Sequence, residues 1–172
     1  MRLFIAVRFS PPVMDMLGGA IEALRRQGRG SFTHPENLHL TLAFIGESND
    51  VAGITSAMRA AAKCPPLCLA VGGSGRFGNL HWIGVDKNDE LSSLAASLRE
   101  ALEAGGISFD EKPFKPHITL AREYRSTSSA PPQIPAPRTE MRVEALSLMR
   151  SDRVGGKLVY TEIARVPLAG KI

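Results

Sequence analysis

Apolar and polar residues follow two periods along the chain, one of about two residues and one of about 3.6 residues. The two-residue alternation predicts short β-strands, because successive side chains of a strand point to opposite faces of a sheet. The predicted strands cover residues 2–9, 38–45, 67–71, 80–85, 141–149 and 157–165, with one more beginning at His117 and a strand-like approach at 107–109.

The 3.6-residue period predicts three amphipathic helices. The first is capped by Ser10 and opened by Pro11 or Pro12, since proline fits the first helical turn. The second starts near Val51 and stops at Pro65-Pro66, and the third runs from Asn88 or Asp89 to Gly105-Gly106.

Turn-forming residues predict the connections between these elements. We expect a loop over 28–37, a link over 72–75 between two strands, and turns over 46–50 and 151–156. Residues 126–138 hold four of the twelve prolines and are predicted to form an extended surface loop. The order β-α-β-α-β-β-α-β-β-β makes the chain an α+β protein, predicted to be one domain over residues 1–172.

One five-residue sequence occurs twice. His39-Leu40-Thr41-Leu42-Ala43 returns as His117-Ile118-Thr119-Leu120-Ala121. Strand alternation places each histidine and its threonine on one face and the aliphatic residues on the other. Two buried core strands are the alternative interpretation, but alternation separates these polar pairs from the apolar face. The repeat predicts two pseudo-symmetric lobes whose His–Thr strands face each other across a central cleft.

Two imidazoles facing each other can act as a general acid and a general base near neutral pH. Displacement at phosphorus is in line, so one histidine can serve the attacking oxygen and the other the leaving oxygen. The threonine hydroxyls can donate hydrogen bonds to the non-bridging oxygens, where charge accumulates. His-x-Thr lacks the carboxylates and third ligand of a metallohydrolase, so we expect neither a metal nor a cofactor.

Composition narrows the class of protein further. The 172 residues are 44% hydrophobic and carry a net charge of +4, which suits an anionic partner. Arg8 and Pro11-Pro12 interrupt the apolar start, which favours a first strand over a signal peptide and a cytoplasmic protein without membrane contact. Cys64 and Cys68 are predicted to be reduced, mostly buried thiols.

Several stretches resemble the 2H phosphoesterases, and in detail their RNA 2′,3′-cyclic phosphodiesterase branch, once called 2′-5′ RNA ligases. The matching stretches are Arg2–Ala6, Pro35–Leu42, Phe44–Gly46, Phe114–Arg122, Tyr160 and Pro167-Leu168. The resemblance spans essentially the whole chain and implies two lobes of antiparallel sheet with outer helices. Ser31-Phe32 depart from the family, which often places a basic residue and Trp there.

The resemblance also implies roles for the repeated residues. His39 would be the proton donor and His117 the proton acceptor, with Thr41 and Thr119 holding the phosphate. The implied reaction opens a terminal 2′,3′-cyclic phosphate of RNA, such as a tRNA fragment, to a 2′-phosphomonoester, and its reverse joins ends through a 2′-5′ linkage. We expect a monomer. Alternative functions are hydrolysis of 2′-5′ oligoadenylates or small cyclic nucleotides, and binding of RNA ends without chemistry.

Three residues near the second motif are further candidates for binding substrate. Phe114 could stack on a nucleobase or belong to the core. Lys115 shares a strand face with His117 and could contact phosphate, whereas Arg122 falls on the opposite face unless the strand ends or bulges. His34 and His81 lie outside the motifs and are expected to be surface or structural residues.

Overall fold

The computed structural model describes residues 1–170, which form nine β-strands and three α-helices. In chain order the elements are β1 Arg2–Val7, α1 Pro11–Gln27, β2 Gly28–Phe32, β3 Leu40–Glu47, α2 Val51–Ala61, β4 Leu67–Phe77, β5 Leu80–Val85, α3 Asp89–Ala104, β6 His117–Ser126, β7 Thr139–Val143, β8 Ala145–Val154 and β9 Lys157–Pro167. One turn of 3-10 helix, Pro35–Asn37, precedes β3.

The strands form two antiparallel sheets, one for each His–Thr motif. The four-stranded sheet has the order β3-β1-β8-β9, and the five-stranded sheet has the order β2-β6-β5-β4-β7. The predicted α+β class with two lobes is therefore confirmed, and the first motif lies in one sheet while the second lies in the other. The lobes are not the two halves of the chain, because β8 and β9 return to pair with β1.

A single apolar cluster connects the two sheets and the helices. Its members alternate along the strands, as in Leu3, Ile5 and Val7 of β1 or Ile118 and Leu120 of β6, all at most 1% exposed. Because the apolar side chains of each strand enter this core, the polar side chains of the same strands point out of it. This alternation is what presents the repeated histidines and threonines on the opposite face.

The helices start as the sequence predicts, with one difference in capping. Asn88 caps α3 by accepting a hydrogen bond from the Leu91 amide, and Asp50 caps α2 in the same way through the Gly53 amide. Ser10 occupies the N-cap position of α1, but its side chain makes no capping hydrogen bond. Pro12 removes the N2 amide, which is one of the two amides that such a cap could satisfy.

The predicted loop over 28–37 is wrong, because it contains β2 and the 3-10 turn. Gly28 lets β2 approach β6 closely, since a Cβ there would overlap the Arg125 carbonyl and the Tyr124 ring. The predicted link over 72–75 is also wrong, because β4 continues through it to Phe77. The strand is irregular between Val71 and Ser74, so a glycine-rich segment remains in the sheet as a bulge.

The predicted strand over 141–149 is two strands in different sheets. β7 pairs with β4, and after Glu144 the chain enters β8, which pairs with β1. Apolar alternation continues across this change because both sheets face the same core, so the pattern carries no sign of the break. Residues 107–109 are not a strand, and β8 extends to Val154, which shortens the predicted turn over 151–156.

The segment between β6 and β7, residues 127–138, has no helix or strand, whereas Ser126, the first residue of the predicted loop over 126–138, ends β6. The side chain of Gln27 fixes it to the end of α1, donating to the Gln133 carbonyl and accepting from the Gln133 amide. Both cysteines are free thiols, but Cys68 is exposed, so the prediction that both are mostly buried is wrong. Within residues 1–170, no helix is both long and apolar enough to cross a membrane.

Candidate active site

The two repeated motifs meet in a cleft of about 1020 Å³ between the sheets. His39, Thr41, His117 and Thr119 all line it, which confirms the predicted cleft between the His–Thr strands. His39 stands immediately before β3 and His117 begins β6, so each imidazole lies where its strand enters the sheet.

Both imidazoles are oriented by the same backbone hydrogen bond. The Nδ1 atom of His39 lies 2.6 Å from the Asn37 carbonyl oxygen, and that of His117 lies 2.6 Å from the Lys115 carbonyl oxygen. A carbonyl only accepts, so Nδ1 must carry the proton in both rings. This leaves each Nε2 as the atom that can take or give a proton.

The threonines differ in what they contact. The hydroxyl of Thr41 lies 2.9 Å from Nε2 of His39 and donates to it when that imidazole is neutral. The carbonyl of Thr119 accepts a hydrogen bond of 2.8 Å from the Thr33 hydroxyl, which ties the start of β6 to the segment after β2. Both threonine side chains line the cleft, where they can donate to an anion.

His39 is enclosed by aromatic rings of its own sheet. Its ring centroid lies 4.7 Å from that of Phe4 and 5.2 Å from that of Tyr160, and the Tyr160 ring meets it edge to face. This burial lowers the pKa of His39, and the positive charges of Arg122 and His117 lower it further against the opposing effect of the Asn37 carbonyl. In the ligand-free protein His39 is therefore inclined to be neutral.

Asn37 connects the first motif to β9 through its side chain. The buried amide donates 2.8 Å to the Leu158 carbonyl, and its oxygen accepts 3.2 Å from the Tyr160 amide. Since the Asn37 carbonyl also accepts from His39, one residue holds the imidazole, the 3-10 turn and β9 in a fixed relation. Asn37 is a positioning residue for His39.

His117 has a more open environment. Its ring meets the ring of Phe77 edge to face at 5.2 Å, and Phe77 is itself 46% exposed. No group corresponding to Asn37 precedes it, because Lys115 has an exposed side chain and contributes only its carbonyl.

A bulge in β6 brings Arg122 to the cleft. Thr119 pairs with Trp82 and Ala121 pairs with His81, so Leu120 is an extra residue in the ladder. The extra residue reverses the alternation, and Arg122 then lines the cleft with Thr119. The sequence predicts Arg122 on the opposite face unless the strand ends or bulges, and β6 does bulge before it.

The cleft carries more positive than negative charge. Its charged lining residues are Arg2, Arg122, Arg153, Lys157, Glu47 and Asp152. The Asp152 carboxylate lies 2.7 Å from Nε of Arg150, which neutralises one of the two acids. Such a surface attracts an anion to the side of the imidazoles.

The other sequence candidates lie away from the reacting centre. Phe114 is half-buried and packs against the main core, and neither Phe114 nor Lys115 lines the cleft. His81 is buried against Tyr124, the structural role predicted for it, whereas His34 is exposed at the cleft edge.

Sequence reasoning missed the contributions of Phe4, Asn37 and Tyr160. The pairing of β1 with β3 brings Phe4 to His39, and the pairings of β1 with β8 and of β8 with β9 bring Tyr160 there. No local pattern signals this, because the contacting residues lie far apart in the chain. Within residues 1–170, no group of three or more His, Cys, Asp or Glu side chains is placed to hold a metal ion.

Two imidazoles and two hydroxyls on facing strands of two antiparallel sheets define a phosphoesterase-type site, and the comparisons with known proteins agree with it. The family model of the 2′-5′ RNA ligase superfamily matches residues 13–155. The chain therefore belongs to the 2′-5′ RNA ligase superfamily.

Similar proteins cover most of the chain. A Thermus thermophilus RNA 2′,3′-cyclic phosphodiesterase is 32% identical and covers 99% of this chain and 92% of its own length. A Geobacillus stearothermophilus protein with the same name is 35% identical over 81% of this chain, and the chain spans about half of it (48%). The crystal structure of Escherichia coli LigT complexed with 3′-AMP matches with a TM-score of 0.79 at 27% identity, over 97% of both chains.

Proposed function

We propose that the chain is an RNA 2′,3′-cyclic phosphodiesterase that works by acid–base catalysis between His39 and His117. The observation that carries the proposal is the matched pair of imidazoles, each with Nδ1 held by a backbone carbonyl, which leaves Nε2 as the atom that can exchange a proton. The names of the Thermus and Geobacillus relatives give the same activity for those proteins.

The reaction balances with the residues of the cleft. His117 removes a proton from water through Nε2 as the water oxygen bonds to phosphorus. The bond between phosphorus and O3′ breaks, and His39 gives the proton of its Nε2 to O3′. The products are a 2′-phosphomonoester and a free 3′-hydroxyl. Thr41, Thr119 and Arg122 donate to the non-bridging oxygens, where negative charge grows.

His39 must be protonated to act as the acid, although the ligand-free site lowers its pKa. A bound phosphodiester is negatively charged, so it offsets the positive charges of Arg122 and His117 that contribute to the shift. We infer that substrate binding itself raises the pKa of His39, so that His39 becomes protonated when the substrate is bound. The reverse reaction, with the roles of the two histidines exchanged, would join RNA ends through a 2′-5′ linkage.

We propose RNA fragments with cyclic phosphate ends as the substrate, tRNA fragments among them. One chain supplies both histidines and both threonines, which supports action as a monomer. We place the enzyme in the cytoplasm, in keeping with two cysteines that remain free thiols.

Phosphorus NMR of an oligonucleotide ending in a 2′,3′-cyclic phosphate, incubated with the protein and EDTA, tests the proposal. We expect the cyclic phosphate signal to be replaced by that of a 2′-phosphomonoester, because the four side chains supply every proton and hydrogen bond without a metal. Inhibition by EDTA that added metal reverses would contradict the metal-free mechanism.

Two other outcomes would overturn the substrate assignment. Turnover of a 2′-5′ linked oligoadenylate with the cyclic end unchanged would assign the cleft to that alternative. A shift in the electrophoretic mobility of the labelled RNA, with the cyclic phosphate unchanged, would identify a protein that binds RNA ends without chemistry. The double variant His39→Ala/His117→Ala is the control for contaminating activity.

A further inference from the structure

A second surface of the five-stranded sheet adjoins the cleft beside His117. On the face that carries Thr119, β5 contributes Trp82, which pairs with Thr119 in register. β4 contributes Gly75, which pairs with Trp82. This part of the sheet therefore lies next to the reacting centre, although the motifs do not include it.

The Trp82 indole lies over two glycines of the sheet. A Cβ at Gly75 would overlap the six-membered ring of the indole, and a Cβ at Gly84 would come within 3.2 Å of it. Glycine weakens a strand interior because it offers no side chain to pack, and it often marks a close approach. These two glycines allow the indole to rest on the backbone of β4 and β5 while remaining half-buried.

Phe77 completes an aromatic surface between Trp82 and His117. Its ring centroid lies 5.3 Å from that of Trp82 with the planes 44° apart, and 5.2 Å from that of His117. A phenylalanine that is 46% exposed leaves much of an apolar ring in water. The Nε1–H of Trp82 is buried and has no hydrogen-bond partner in residues 1–170. The apolar ring of Trp82, and not its polar atom, therefore accounts for a tryptophan at this position.

We propose that Trp82 and Phe77 form a stacking platform for the nucleobase of the nucleotide that carries the cyclic phosphate. The inference rests on the proposed function, since the phosphate held between the histidines fixes where the sugar and base can lie. The cyclic phosphate is fused to the ribose, so the base of the same nucleotide is one sugar ring away from the phosphorus. Aromatic side chains bind every base through its π-face, so the platform accepts any terminal nucleotide.

Intrinsic fluorescence tests the platform in the unmodified protein, because Trp82 is the only tryptophan of the chain. The protein is titrated with adenosine 2′-monophosphate, the product analogue, and separately with ribose 2-phosphate, which lacks the base. We expect saturable quenching by the nucleotide and little change with the sugar phosphate. Equal responses to both compounds, or none to a nucleotide shown by phosphorus NMR to bind, would overturn the assignment.

Kinetics of Phe77→Ala separate base stacking from an effect on His117. Removing a stacking ring is expected to raise KM for adenosine 2′,3′-cyclic phosphate about 5- to 100-fold, with kcat less affected. The matched substrate is methyl ribofuranoside 2′,3′-cyclic phosphate, which has the reacting ring but no base. Because Phe77 also touches the His117 ring, the ratio of the two substrates is compared: Phe77→Ala is expected to lower kcat/KM for the nucleotide about 5- to 100-fold more than kcat/KM for the baseless substrate.

An equal loss of kcat/KM on both substrates would overturn the platform and show that Phe77 acts only by positioning His117. Val154→Ala is the control, because Val154 is 61% exposed, lies at the end of β8 and does not line the cleft. If the wild-type protein hydrolyses neither substrate, the proposed function fails. If it hydrolyses both and Phe77→Ala retains its KM for the nucleotide, only the platform fails.

Discussion

The two His–Thr motifs have the same sequence pattern and the same backbone hydrogen bond, yet the residues that surround their histidines differ. His39 lies between Phe4 and Tyr160, bonds to its threonine and is backed by the side chain of Asn37. His117 touches the exposed Phe77 and begins its strand without comparable support. The difference arises from the neighbouring strands, because each motif sits in a different sheet.

The comparison shows how a symmetric repeat can place two imidazoles in different surroundings, which the proposed acid–base pair would use. The repeated residues fix the tautomer of both imidazoles, since both Nδ1 atoms bond to a carbonyl two residues earlier. The surroundings of His39 then lower its pKa, chiefly through burial of the ring. In the proposed mechanism the motifs supply the reacting atoms, and the neighbouring strands of the first sheet set the electrostatic environment of His39.

The largest expected effect tests the feature that the two His–Thr motifs share, which is the imidazole itself. His39→Ala and His117→Ala are each expected to lower kcat by about 10²- to 10⁴-fold, because each removes one of the two proton transfers. The variants should differ in stability: removing the enclosed His39 ring leaves a gap beside Phe4 and Tyr160, whereas His117 lies at a more open edge. Turnover assays and urea unfolding measure the two effects. Near wild-type turnover in either variant would contradict the acid–base pair.

A smaller effect tests a feature that only the first motif has, which is the link to β9 through the Asn37 side chain. Asn37→Ala removes the bonds to Leu158 and Tyr160 and leaves two backbone groups without their partner, at a cost of about 1–3 kcal/mol. Because His39 then loses its fixed relation to β9, we expect kcat to fall by up to about 10²-fold with a smaller change in KM. Steady-state kinetics and urea unfolding measure both quantities.

Asn88→Ala is the matched control for Asn37→Ala. Asn88 donates to the Cys68 carbonyl and accepts from the Leu91 amide, so its removal also leaves two backbone groups without their partner, away from the cleft. It should lower stability without lowering kcat. If both variants lose activity in proportion to stability, Asn37 has no positioning role.

The smallest expected effect concerns the proton of His39. Tyr160→Ala admits water beside the imidazole, so the charged form is less penalised and the pKa of His39 should rise towards its ordinary value. Arg122→Gln should raise it as well, because it removes a positive charge that lowers it. Adenosine 2′-monophosphate should act in the same direction on the wild-type protein.

Proton NMR titration of the His39 ring measures these shifts. Tyr124→Phe is the control, since Tyr124 contacts His81 and lies outside the cleft. A downward shift in Tyr160→Ala, or no shift on binding the nucleotide, would contradict the idea that substrate loads His39 with its proton.

The sequence was sufficient for the residues whose roles are local. Alternation in β3 and β6 predicts which side chains leave the core, and the repeat identifies His39 and His117 as a pair. The helices were predictable because their apolar period and capping residues are contained in one segment. The cleft between the two motif strands was predicted in a different way, from the repeat, which implies two similar lobes that face each other.

The rest of the site depends on pairings between distant segments. Tyr160 meets His39 only because β9 pairs with β8 and β8 with β1, and Arg122 reaches the cleft only through the bulge at Leu120. β2 was missed because Gly28–Phe32 has little apolar alternation and is a strand by virtue of its pairing with β6. Phe77 was missed for the same reason, since a glycine-rich segment gave no sign of continuing as a strand.

The return of β9 to the first sheet has a consequence for the order in which a ribosome completes the protein. Both motifs leave the exit tunnel before Tyr160 does, and the five-stranded sheet can be assembled while β9 is still being made. His39 gains its aromatic enclosure and its link through Asn37 only when that strand arrives. A nascent chain that lacks β9 therefore has an incomplete enclosure around His39, and the proposed acid–base pair is complete only after that strand has been synthesised.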